Sequence, residues 1–183
     1  MKKRIYVLML TLCVALSFCA CGKKKGENAT EAAVEAANPA VAECVDFVNT
    51  KLPAIAADRD AAVALYNEDF ASSTVEPEKI LADLRDTAIP QMETYINNLT
   101  AIEVTTPEVT EFKNLYLQSA QKQYEAMKMV VSAIEAENTD YLMQADNLIS
   151  EADTLLMEFD TKLVTFASEN GITLQTASGT DAQ

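Results

Sequence analysis

The chain has 183 residues, with 14 basic against 28 acidic side chains, a formal net charge of −14 and no histidine. Lack of histidine removes Ser-His-Asp and Cys-His centres, histidine-ligated haem and the Glu-x-x-His di-iron site found in some helical bundles. The acidity argues against nucleic acid, whose phosphates require a basic surface, and the four glycines form no phosphate-binding loop.

The first element in chain order is an address. Lys2, Lys3 and Arg4 precede a mostly apolar run from Ile5 to Ala20, the layout of a secretory signal. Its 16 residues fall short of the roughly 20 needed to span a bilayer. The run ends in Phe18-Cys19-Ala20-Cys21-Gly22. This segment resembles the lipobox of bacterial lipoproteins, in which a small residue such as Ala20 precedes the modified cysteine. Phe18 departs from the pattern, because the family usually carries an aliphatic residue there. The resemblance is confined to residues 1–25. It implies removal of the signal peptide 1–20, attachment of lipid (palmitate among the acyl chains) to Cys21, and an extracytoplasmic, membrane-anchored location in the cell envelope. Loss of Lys2, Lys3 and Arg4 then leaves 11 basic residues against 28 acidic, a net charge of −17. Cys13 and Cys19 leave with the signal, so Cys44 is the one remaining free thiol. Its neighbours Val41, Val45 and Val48 mark it as a small buried hydrophobe.

Residues 21–38 read as the lipidated cysteine followed by a tether, with Lys23, Lys24 and Lys25 beside the lipid. Each lysine adds about 1 kcal/mol of attraction to anionic headgroups, whereas the acidic module behind them is repelled by the same surface. At the other end, residues 173–183 show no apolar periodicity and read as a disordered tail.

Residues 39–172 form one domain. Apolar residues recur at steps of three and four, most clearly in Tyr141, Ala145, Leu148, Ala152, Leu155, Phe159, Leu163 and Phe166 and again from Val109 to Ile134. Such steps make helical stripes, and no stretch alternates as a strand does. Asn38-Pro39, Glu76-Pro77 and Thr106-Pro107 read as helix starts, and Asn170-Gly171 as a stop. The spans 40–71, 77–103, 107–137 and 140–170 follow. Their short connections predict an all-α, antiparallel up-down-up-down four-helix bundle, monomeric. Pro53 and Pro90 fall inside helices 1 and 2 and are expected to kink them. The expected core includes Leu52, Ile55, Leu84, Ile96, Leu99, Phe112, Tyr124, Val131, Leu148, Phe159 and Phe166.

Candidate sites are few. Arg59 and Arg85 are the only arginines after processing. Arg59 falls on the seam of helix 1 and Arg85 next to Leu84 and Ala88 on helix 2; in the cleft bracketed by Pro53, Pro90 and these two arginines, with Tyr66 and Tyr95, they could hold a carboxylate or other anion. The alternative is that each guanidinium meets a neighbouring aspartate. Asp146, Asp153 and Asp160 recur every seven residues on helix 4, a row read as a solvated face rather than a metal site; no metal and no cofactor are expected. The functional expectation is a noncatalytic, lipid-anchored binding or scaffolding module for an envelope protein or small ligand. The alternatives are a receptor in the helix 1–helix 2 cleft or a hydrolase built on carboxylates.

Overall fold

The computed structural model describes residues 38–71 and 75–172. The signal segment, Cys21 with the tether up to residue 37, and the tail 173–183 lie outside the described residues. Four long helices follow one another, and no strand occurs among the described residues. α1 runs through Pro39–Asp46, Phe47–Lys51 and Leu52–Ala71; α2 runs through Pro77–Asp83, Leu84–Ala88 and Ile89–Ala101. α3 is Pro107–Glu135 and α4 is Thr139–Glu169. The four packed helices expected from the stripes are present, and every boundary lies within two residues of its expected position.

Local chemistry explains where the helices begin and end. The Asn38 side chain accepts a hydrogen bond from the Ala40 N–H at 3.1 Å, ahead of Pro39. Asn138 accepts one from the Asp140 N–H at 2.9 Å. Both are side-chain caps on otherwise orphaned donors. α4 closes with Gly171 at φ 66° and the Ile172 N–H donating to the Ala167 carbonyl at 2.8 Å, a left-handed cap suited to glycine. α3 closes in the same way, with the Asn138 N–H on the Ala133 carbonyl at 3.0 Å. There the left-handed residue is Glu137, at φ 49°.

The start of α3 departs from its expected form, because Thr106 does not cap its own helix. Glu43 of α1 supplies the acceptor instead. The Thr105 N–H and hydroxyl donate to its Oε1 at 2.6 and 2.8 Å, and the Thr106 N–H donates to its Oε2 at 2.7 Å, with the Thr106 hydroxyl on the same oxygen. Burial raises the Glu43 pKa, but these four hydrogen bonds outweigh it and hold the carboxyl down at about 2. A carboxylate at a helix N-terminus also meets the positive end of the helix dipole. Lys51 donates to the Glu103 carbonyl at 3.0 Å and Lys113 to the Thr100 carbonyl at 2.8 Å, so the α2–α3 connection is clamped from both sides. At the same end, Asn38 Nδ2 donates to Asn170 Oδ1 at 2.7 Å, joining the start of α1 to the end of α4.

The disturbance expected at Pro53 and Pro90 takes one form in both helices. A five-residue π turn, Phe47–Lys51 in α1 and Leu84–Ala88 in α2, ends two residues before the proline. The residue before each proline donates to the carbonyl five residues back, Leu52 to Phe47 and Ile89 to Leu84. Widening the turn relieves the contact between the proline ring and the carbonyl four residues earlier, that of Asn49 or Asp86. Both prolines are exposed, which is the side on which a helix tolerates a missing donor.

The core is unevenly distributed. Phe112 meets Phe159 and Phe166 edge-on at 6.1 and 5.6 Å, and Tyr116 meets Phe159 at 5.1 Å. α2 contributes Leu84, Ala88, Met92, Tyr95 and Leu99, all fully buried. α1 buries Val41, Cys44, Phe47 and Val48 in its early turns, but beyond Leu52 its only buried apolar residue is Ala62. Of the expected core, Leu84, Leu99, Phe112, Phe159 and Phe166 are buried. Leu52, Ile55, Ile96, Tyr124, Val131 and Leu148 are half-buried. For Leu52 and Ile55 the reason is that α1 leans on α2 and the start of α3 while approaching α4 least. Burial pushes the Cys44 thiol up to about 12, so it stays protonated and serves packing.

Candidate functional site

The structure separates the two arginines. Arg59 lies in the α1 seam, buried, with its guanidinium 3.5 Å from Asp60 and 5.8 Å from the centre of the Tyr116 ring on α3. Arg85 points outward and forms an ion pair with Glu135 at the far end of α3. Tyr116 and Glu135 are 19 positions apart on one helix, about 28 Å along its axis. A small anion forming ~3 Å charge-assisted bonds cannot touch both guanidiniums. The reason is local: Arg85 sits inside the α2 π turn, whose extra residue upsets the regular helical projection that placed it in the cleft with Arg59.

Tyr95 and Arg59 do come together. Tyr95 is 1% exposed, and burial raises its pKa, reinforced by the neighbouring Tyr116 and opposed by Arg59. Tyr66 stacks on Phe70 at 4.8 Å between ring centres. Burial, followed by the charge of Asp146 across on α4, pushes its hydroxyl up to about 12. Just beyond this layer Ser119 donates to the Ala152 carbonyl at 3.0 Å, and Gln123 is buried with neither amide atom partnered. Sequence reasoning missed Ser119 and Gln123, each of which lies one position before a residue of the α3 stripe, Ala120 and Tyr124.

At the opposite end from Asn38, Asp69 of α1 is buried and meets Lys79 of α2 at 3.0 Å; Lys79 also pairs with Asp83. Burial raises the Asp69 pKa against the pull of Lys79. Nearby, an open depression of about 570 Å³ is lined by Pro77, Leu81, Ile134, Glu137 and Leu142 among others. It does not lie beside Pro53 or Pro90. Its carboxylates, Glu78 and Glu137, would not favour the anion expected from the sequence. Among the described residues, no three acidic or cysteine side chains converge as metal ligands, and no helix is long and apolar enough to cross a membrane.

The most distinctive surface is the outer face of α4. Met143, Met157 and Val164 are 59, 69 and 57% exposed. Asp146, Asp153 and Asp160 run beside them, and none has a cation partner among the described residues. Asp153 and Asp160 are half-buried, and burial raises both pKa values.

An export signal, a lipobox and four packed helices together define a membrane-tethered helical-bundle lipoprotein. The family model for EMYY-motif containing lipoproteins matches residues 1–157. The chain belongs to that family and is anchored to a membrane on its extracytoplasmic side. The string EMYY itself does not occur in it. No curated protein and no solved structure matches the chain.

Proposed function

We propose that the mature protein is a noncatalytic binding or scaffolding module, held at the cell envelope by lipid on Cys21, that presents a helical surface to another envelope protein. One observation carries this reading. The arginines best suited to a small ligand are paired within the chain, Arg59 with Asp60 and Arg85 with Glu135, while α4 leaves Met143, Met157 and Val164 in solvent. Exposed apolar side chains grouped on one element suit a protein partner better than scattered ones do.

Photocrosslinking from several surface positions of the intact anchored protein in living cells tests the proposal. A discrete crosslinked protein that requires the anchor, and is lost with Cys21→Ser, is the expected result. Hydrolysis of an envelope substrate that disappears on changing one carboxylate would instead make the protein an enzyme.

A further inference from the structure

We infer that the outer face of α4 docks an amphipathic helix from a second envelope protein, one that carries lysine or arginine at seven-residue intervals. The inference rests on the binding-module reading and names its surface and partner chemistry.

Met143, Met157 and Val164 fall on one seven-residue register, with Ser150 completing it, and Asp146, Asp153 and Asp160 fall on another. A seven-residue step returns to nearly the same side of a helix, so the two rows run parallel along α4. The inner stripe of α4, including Ala145, Ala152, Phe159 and Phe166, is already buried. The outer rows therefore form a second seam on the same helix. Seven-residue apolar repetition is the pattern read by another helix lying alongside, and methionine adapts its shape to such a partner.

Charge selects the partner. Two of the three aspartates are half-buried, so they carry part of the desolvation cost of a charge without a cation to offset it. Lys162, the only lysine on α4, is turned to the other flank, where it pairs with Glu111 at 3.0 Å and Glu158 at 3.6 Å. A second copy of this chain would set aspartate against aspartate, and an anionic lipid surface would be repelled. A cationic helix fits both rows at once, apolar side chains on the methionine row and ammonium or guanidinium groups on the aspartates.

The test uses the lipidated protein in phosphatidylcholine nanodiscs. The probe is a fluorescent synthetic amphipathic peptide of about four heptads with lysine at every seventh position, compared with its glutamate counterpart. The lysine peptide should bind at least about tenfold more tightly. Asp153→Lys with Asp160→Lys should reverse that preference, and Met157→Ser should weaken binding severalfold. Asp86→Lys with Glu93→Lys, on exposed turns of α2, should leave it unchanged. Equal binding of the two peptides, or equal loss from the α2 and α4 variants, overturns the inference. A cellular crosslink that maps to another face does the same, yet leaves the binding module standing; absence of any crosslinked partner counts against the module itself.

Discussion

The two hairpins of this bundle solve the same packing problem differently. α3 and α4 are uninterrupted, of 29 and 31 residues, and lock together through edge-on aromatic rings. α1 and α2 each carry a proline and a π turn, and the later turns of α1 bury Arg59 and Asp69 but little apolar side chain. Hydrophobic burial therefore holds α3, α4, α2 and the first turns of α1, while the turns of α1 beyond Leu52 depend more on their neighbours and on a few polar contacts. The contrast predicts which part opens first.

The largest expected effect is in the regular hairpin. Phe159→Ala should cost about 3–5 kcal/mol in equilibrium unfolding, whereas Val63→Ala, at a half-buried position of α1, should cost less than about 1 kcal/mol. Similar losses at the two positions would erase the distinction. Next is a gain: Gln123→Met replaces a buried, unpartnered amide with an apolar group of similar length and should stabilise by about 1–2 kcal/mol. A loss there would reveal a hydrogen-bonding partner for the amide.

The polar ties of α1 come third. Glu43→Gln should cost about 1 kcal/mol, as removal of a helix cap does, and the effect should depend on pH. The folded pKa of Glu43, about 2, lies below its ordinary value of 4.5. Its contribution is fully present above pH 4.5 and is lost as pH falls toward 2. The stability difference between wild type and variant should shrink across that window. Asp153 and Asp160 have the opposite sign: their raised pKa values mean that protonation relieves buried charge and adds stability as pH falls. The last effect concerns the turn into α4, where Glu137→Gly removes a left-handed non-glycine residue and should raise stability by about 1 kcal/mol, measured by thermal unfolding.

The helix limits were legible because their signals are local. Asn38-Pro39, Asn138 and Asn170-Gly171 act on donors and acceptors a few residues away. Pro53 and Pro90 announced a disturbance, but its π form depends on how each helix moves one carbonyl away from a ring. The Glu43 clasp was hidden because its partners lie 62 and 63 residues on, and no periodicity encodes that pairing. Arg59 was correctly placed on the seam; that Arg85 would share its cleft was not legible, since the π turn around it abandons the regular helical count. On α4 the aspartate row was visible as a seven-residue repeat. The exposed methionine register beside it was equally available, but its significance appears only once the other side of the helix is seen to be filled.

The clasp between Glu43 and Thr105-Thr106 also fixes how the protein would bear load. A pull through the lipid anchor would reach the bundle at the beginning of α1, the end that Asn38 ties to Asn170 of α4. The Asn38–Asn170 contact would meet the pull first, and the Glu43 clasp stands about one and a half turns behind it. Beyond these contacts α1 has little hold on α4, and what keeps it in place is its packing on α2 and the start of α3.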